Sequence, residues 1–392
     1  MLLHKLTVKF IASIDDIDQS SWDKLCGSDY PFLRHSFFSA MEKSGSTTKK
    51  TGWEPHHLII HQQQSLVAIV PLFIKTHSYG EYVFDWSWAE AYHRHGIEYY
   101  PKLVNAIPFT PATGQRWAID YTMANDDILD FITATITHEA ASINASSCHC
   151  LFPTLENSMR LANNSWQQRT GYQYHWFNKS YASFDDFLLS MSSRKRKNII
   201  KERKKVQQQN ISITIKEGRD ISDADWKDFY FFYRATYIKR SGHIGYLSAE
   251  FFPLLAHGMI EHLVMIQAAV EREDGSHMVA AALCFKDSET LYGRYWGCKE
   301  NFDSLHFEAC YYQGIEYAIQ QGLKRFDPGA QGEHKIQRGF TPIKTYSNHW
   351  LANAEFSDAI GNFLQVEARE VEDYIQDASQ LLPFKAETQH GN

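Results

Sequence analysis

The chain has 392 residues, enough for two or three domains at roughly 150 residues each, and its formal net charge is −7. Hydrophobic residues make up 44% and aromatic residues 14%, which excludes a largely disordered chain and leaves the ending "AETQHGN" (386–392) to read as a frayed tail. No run approaches the roughly 18 apolar residues that span a bilayer, and the opening "MLLHKLTVKFIASIDDIDQ" lacks the apolar stretch of a secretory signal. Cys26, Cys148, Cys150, Cys284, Cys298 and Cys310 form no CxxC pair, so they read as reduced, packed thiols of a cytoplasmic protein with no metal site.

In chain order, Leu6, Val8, Phe10 and Ala12 alternate with polar residues, which predicts a strand. "SIDDIDQSSWDKLCG" starts a helix with acidic residues. "HHLIIHQQQSLVAIVPLFIKT" gives two strands joined by a polar turn at Gln62 to Ser65, and "GEYVFDWSWAEAY" reads as another strand. Ile128, Phe131, Ile132, Ile136 and Ala140 have helical spacing, and "CHCLFP" is a buried strand ending at Pro153. After a lapse in the apolar pattern near Asn163 to Gly171, "EHLVMIQAAVEREDGSHMVAAALCFKDSETLYGRYWGCKE" supplies three strands and two turns. A helix over His306 to Gln321 follows, capped by Gly322, and then the short strand "LKRFDPG".

The later strands match the earlier ones in order. "HLII" at 57 matches "HLVM" at 262, "SLVAIVPLFIKT" matches "HMVAAALCFKDS", and "YGEYVFDWSWAEAY" matches "ETLYGRYWGCKEN", about 205 to 213 residues apart. The pattern predicts two copies of one α/β (α+β) unit: a three-stranded antiparallel meander, a helix and a further strand. The expected divisions are 1–168 and 169–385, the second carrying a basic helix at 193–206 and a functional loop at 327–340.

This order resembles the GNAT acyltransferase fold in tandem, as in the FemAB/FemX branch. The chain is similar to the bacterial FemAB-like predicted N-acyltransferases, often linked to peptidoglycan biosynthesis. "DWSWAEAYHRHGIEYYPKLVNAIPFTPATGQR", "SSRKRKNIIKERKKV", "LYGRYWGCKENFDSLHFEACYYQGIEYAI" and "FDPGAQGEHKIQRGF" carry the resemblance. It implies acyl or aminoacyl transfer from an activated ester or thioester to an amine, with no tightly bound cofactor. The donor would be acyl-CoA, an acyl carrier protein or aminoacyl-tRNA. Neither half has a clean Gln/Arg-x-x-Gly-x-Gly/Ala pyrophosphate loop, which weakens the case for free acetyl-CoA. "GAQGEHKIQRGF" is closer to the FemX-type loop, where a Lys and a following Gly-Phe sit beside the substrate.

Acyl transfer to an amine needs a proton acceptor and donors for the carbonyl oxygen. The loop concentrates Gln331, Glu333, His334, Lys335 and Arg338. Lys335 and Arg338 suit an anionic substrate; Glu333 or His334 can take a proton. His306 and Glu308 begin the helix after the third strand, as a base pair of groups or equally as a turn histidine and a carboxylate on the helix dipole. Arg294, Tyr295 and Trp296, with Asp85, Trp86 and Trp88 in the first copy, line a wet cleft or form structural ion pairs. The proline-rich stretch 101–116 reads as an extended loop, with Lys102 and Arg116 as anchors on an acceptor surface or as plain loop residues.

Ser193 to Val206 holds eight Lys or Arg against one Glu, a local +7 that leaves the remainder near −14. With no balancing acids in the segment, Arg194, Lys197, Lys201 and Lys204 read first as the rim of a phosphate-bearing substrate site. A tRNA contact, an anionic membrane surface and a plain solvated face are the alternatives. The rival to an enzyme is a non-catalytic GNAT scaffold binding RNA or an anionic membrane through this helix.

Overall fold

The computed structural model describes residues 6–123, 126–330 and 332–385; the expected tail at 386–392 and the candidate Gln331 lie outside them. Strand β1 (Leu6–Ile11) leads into helices α1 (Gln19–Cys26) and α2 (His35–Lys43). Strands β2 (Trp53–Pro55), β3 (His57–Gln62), β4 (Ser65–Val70) and β5 (Phe73–Lys75) follow, then α3 (Trp86–Arg94). Next come β6 (Lys102–Asn105), β7 (Ala118–Ile119), α4 (Asp126–Ser142), β8 (Ser147–Leu151), α5 (Leu155–Asn163) and β9 (Gln167–Phe177).

The second half opens with α6 (Phe184–Leu189), α7 (Ser193–Gln208), β10 (Ile211–Glu217), α8 (Asp223–Ser241) and α9 (Phe251–Gly258). The meander is β11 (Leu263–Arg272), β12 (Gly275–Lys286) and β13 (Thr290–Cys298). Helix α10 (Leu305–Phe307) passes through a π-helical turn at Glu308–Tyr312 into α11 (Gln313–Gln320). Strand β14 (Arg325–Asp327), a 3-10 turn at Glu333–Arg338, β15 (Thr341–Leu351) and α12 (Ala354–Gln380) complete the chain.

The two halves repeat one plan of antiparallel-rich mixed sheets flanked by helices. β1, β3 and β4 form an antiparallel set, as do β10, β11 and β12. The strand after each set pairs in parallel with the strand after its helix: β6 with β8, and β13 with β14. In the first copy the sheet breaks after β4, where Pro71 has no N–H to give a ladder. In the second copy β12 runs unbroken.

The chain packs into two units. One comprises residues up to Tyr172 with Tyr246–Gly258 and Lys344–Asp373; the other comprises Gln173–Gly245, Met259–Ile343 and Tyr374 onward. The expected cut at 168/169 is therefore not linear. Strand β15 returns to the first unit because it pairs with β8, Ser347 opposite Leu151. The end of β9 belongs to the second unit because Trp176 pairs with Phe326 of β14. The first core gathers α4 and its apolar stripe with β3, β4 and β8; the second gathers α6, α11, β11, β12 and β14.

"GEYVFDWSWAEAY", expected as a strand, forms α3 over its second half. Trp88 and Tyr92 lie four residues apart and are both buried, which suits a helix and not a strand. The counterpart of β13 is β6, inside the stretch expected as an extended loop.

Gly297 on β13 touches the backbone of α8: a Cβ there would sit 2.2 Å from the Phe232 carbonyl carbon and 2.3 Å from the Tyr233 nitrogen. Gly297→Ala is expected to cost about 1–3 kcal/mol through overpacking, read as a lower urea midpoint. An unchanged midpoint would mean that α8 does not press on β13.

Candidate functional site

In the second unit, parallel pairing of β13 with β14 stops at Tyr292 opposite Asp327, while β13 continues to Cys298. Beyond that point Pro328 and Gly329 turn the chain away and the strands diverge. Opposite, on β12, the register slips between Leu283 and Cys284, so Arg294 is the extra residue of a bulge. Bulges re-aim side chains and recur beside active sites. The divergence opens a cavity of about 80 Å³ lined by β13 from Gly293 to Trp296, by Pro328, and by His306, Cys310 and Tyr311 of the helix across it. The helix meets the cavity at its π-helical turn, a local widening often found at functional sites.

Asp327 is fully buried at the mouth of the divergence. Its carboxylate takes both terminal nitrogens of Arg294, one at 3.1 Å, and the Gly329 N–H at 2.9 Å. His175 of β9 lies 3.5 Å away. Burial pushes the carboxyl up, but Arg294, His175 and the Gly329 N–H outweigh it and hold it well below its usual range. Arg294, expected as a cleft cation, is thus neutralised by the protein's own carboxylate.

Lys335 is different. It is 1% exposed, and its Nζ donates to the Gly329 carbonyl at 2.6 Å. Among the described residues no carboxylate lies within 4 Å of it. Burial pushes the ammonium down to about 8, against the attraction of Asp327. Its Nζ faces the Tyr311 ring at 6.0 Å. The 3-10 turn that carries it ends at Gly339, whose φ of 88° favours glycine.

The other loop candidates divide. His334 is exposed, with Nε2 2.8 Å from the Tyr311 hydroxyl, and burial together with the nearby Arg338 lowers its pKa. Arg338 is tied to Glu202 at 2.8 Å and to the Tyr312 hydroxyl at 3.0 Å, and stacks 3.5 Å over Phe307, so it is not poised for an incoming anion. Glu333 is exposed and accepts from the Tyr374 hydroxyl at 2.9 Å.

His306 lines the cavity against Trp296 and Tyr311. Burial pushes its pKa to about 3, away from the neutral range expected of a base. Glu308 does not face it: the carboxylate accepts from Arg203 Nε at 3.1 Å and from Gln313 at 2.7 Å. Glu308 ties α7 to the π-helical turn. Tyr295 and Trp296 do line the cavity.

The first-unit candidates do not form a cleft. Lys102 and Arg116, expected as surface anchors, are both 0% exposed. Lys102 Nζ donates to Ser78 and Glu81, each at 2.9 Å, and to Asp85. Arg116 donates to the carbonyls of Leu151, Ala112 and Gln115. A guanidinium thus fills the region past β6 and β8 that corresponds to the open divergence of the second copy. Trp88 packs on His349 at 4.9 Å, while Trp86 is 42% exposed and tilted against Tyr79 at 5.0 Å.

Sequence reasoning missed Asp327, His175, Tyr311 and Cys310. "FDPG" marked only a strand end, and Tyr311 and Cys310 lay within an ordinary apolar helix pattern. Among the described residues no cluster of three or more His, Cys, Asp or Glu has an arrangement that would hold a metal ion.

The chain matches the FemAB_like family, described as peptidoglycan biosynthesis/recognition, over residues 13–386. No curated protein sequence matches it. It is similar to the crystal structure of FemX at TM-score 0.53 and 11% identity, covering 88% of this chain and 98% of that one. It is also similar to the C-terminal domain of a putative lysylphosphatidylglycerol synthetase from Agrobacterium fabrum, at TM-score 0.54 and 9% identity over 89% and 96% of the two chains. At such identities these likenesses establish the shared fold. The chain belongs to the FemAB_like family.

Proposed function

We propose that the second unit transfers an acyl or aminoacyl group from an ester or thioester donor to an amine by direct attack, with the reacting carbonyl in the cavity between β13 and the π-helical turn. The observation that carries this is Lys335: a buried cation with no carboxylate within 4 Å among the described residues, bonded to the Gly329 carbonyl next to Pro328, which lines the cavity. A buried lysine left uncompensated is costly unless it has work in that environment. In this reading the amine nitrogen bonds to the carbonyl carbon, and the Lys335 ammonium donates to the developing oxyanion. The oxyanion then collapses, the C–O or C–S bond breaks, and the leaving group takes up the proton that His334 received from the amine. His334, exposed and held by Tyr311, accepts the proton lost by the amine.

Asp327 and Arg294 position rather than react. Their closed pair fixes the bulge and, through the Gly329 N–H, the carbonyl that holds Lys335. The cavity favours a small acyl or aminoacyl group, with its carrier outside. The carrier, whether coenzyme A, a carrier protein or tRNA, is to be found by testing each donor, and the acceptor amine belongs to a cell-wall precursor or a molecule of like chemistry. The place of action is the cytoplasm, where such donors are made.

Two outcomes are expected. With a donor and amine pair that the protein turns over, Lys335→Ala lowers kcat by about 100-fold or more, the usual loss when an oxyanion donor is removed, while Lys335→Arg retains part of it. Unchanged turnover in Lys335→Ala removes the proposed role. The second outcome concerns stability. Lys335 has a folded pKa near 8, below its ordinary 10.5, so between these values the unfolded chain binds more protons than the folded one. Stability therefore rises with pH across that window. Urea titrations should show the wild type gaining stability relative to Lys335→Met from about pH 8 toward 10.5; parallel profiles would contradict a buried, depressed ammonium.

A further inference from the structure

We propose that α7 docks the protein on an anionic lipid bilayer through Arg194, Lys197, Lys201 and Lys204, with Ile200 entering the interface. The spacings of three, four and three residues place the four cations on one face, along roughly 15 Å of helix. All four are exposed, and among the described residues none meets a carboxylate within 4 Å. Much of the rest of the helix is committed. Ile199 and Val206 are buried, Arg203 pairs with Glu308 and Glu316, Lys205 pairs with Asp303, and Glu202 accepts from Arg338. These contacts fix the rotation of α7.

They also decide against the reading of this row as a substrate rim. Glu202, Arg203 and Lys195 reach the π-helical turn and the loop beside the cavity. The cationic row lies on the opposite side of the helix from them, facing away from the cavity. A flat anionic surface fits a straight, rigid, exposed row better than a small substrate does.

Apolar exposure selects lipid over nucleic acid. Ile200 is 50% exposed and lies three residues after Lys197 and four before Lys204, so it projects along one edge of the cationic face. Leu189, at the end of the preceding helix, is 56% exposed. Residues Ser193–Gln208 contain no aromatic side chain on which a base could stack. Cations flanking an exposed aliphatic side chain are what an interfacial helix uses: the charges meet lipid phosphates and the aliphatic group enters the acyl boundary.

The test is co-sedimentation of the full chain with vesicles of phosphatidylcholine alone or with roughly one-third phosphatidylglycerol, a content that gives a negative surface potential, alongside a duplex RNA of similar charge. Binding is expected only to the anionic vesicles and should weaken with salt. Lys197→Glu with Lys201→Glu should reduce it by about 10-fold or more, and Ile200→Ser by a few-fold, with melting unchanged because these residues are exposed. Lys197→Gln with Lys201→Gln gives an intermediate loss. The proposal is overturned if anionic vesicles do not bind, if charge reversal leaves binding intact, or if the chain prefers RNA and Ile200→Ser is silent. No turnover is measured, so this outcome is separate from the catalytic reading.

Discussion

The buried pair of Arg294 and Asp327 is the interaction on which the second unit depends. One carboxylate gathers three segments: the bulge of β13, the end of β9 through His175, and the turn after β14 through the Gly329 N–H. Breaking such a pair from one side leaves a buried charge and costs about 3–5 kcal/mol. The strands diverge where they do because the carboxylate closes the sheet at Tyr292 and Asp327 and the following Pro–Gly cannot continue it. The same turn presents the carbonyl that holds Lys335. A structural ion pair thus stands directly beneath the cation that carries the proposed chemistry.

The first copy uses related chemistry to the opposite end. Lys102 bonds one oxygen each of the buried Glu81 and Asp85, and burial pushes Glu81 up to about 7 even with the ammonium beside it. Arg116 caps carbonyls past β6 and β8. His149 and His349 face one another through their Nδ1 atoms, each anchored by a serine through Nε2. Where the second copy leaves a gap, the first fills it with Arg116 and pairs Lys102 with two carboxylates, while Lys75, also buried, rests on the Tyr79 carbonyl and His77.

Much of the architecture was legible because it is periodic. The alternation in β1, the apolar runs of β3, β4, β11 and β12 between polar turns, and the 3.6-residue stripe of α4 come directly from residue order, and the recurrence of the strand runs announced two copies. α3 was misread because Phe84, Trp86 and Trp88 carry strand propensity, while the helical relation between Trp88 and Tyr92 rests on only two residues. The status of Lys102 and Arg116 was illegible because their partners, such as the Leu151 carbonyl, come from distant segments. The same holds for α7: the acids that balance Arg203 and Lys205 lie 98 to 113 residues along the chain, so a window on the helix shows only its charge. The π-helical turn leaves no mark in composition at all, since it is a change of hydrogen-bond partner and not of residue type.

The most direct test of the central claim is hydrogen exchange of the full chain with and without candidate donors: coenzyme A, a series of acyl-CoAs, and aminoacyl-tRNA. A donor that enters the cavity slows exchange in the segments that form it by stabilising their closed state. The account predicts protection centred on 293–296, 306–311 and 328–340, with the first unit unchanged around 102–116. Protection by a bound donor that falls on 102–116 and spares 293–296 and 328–340 would contradict it.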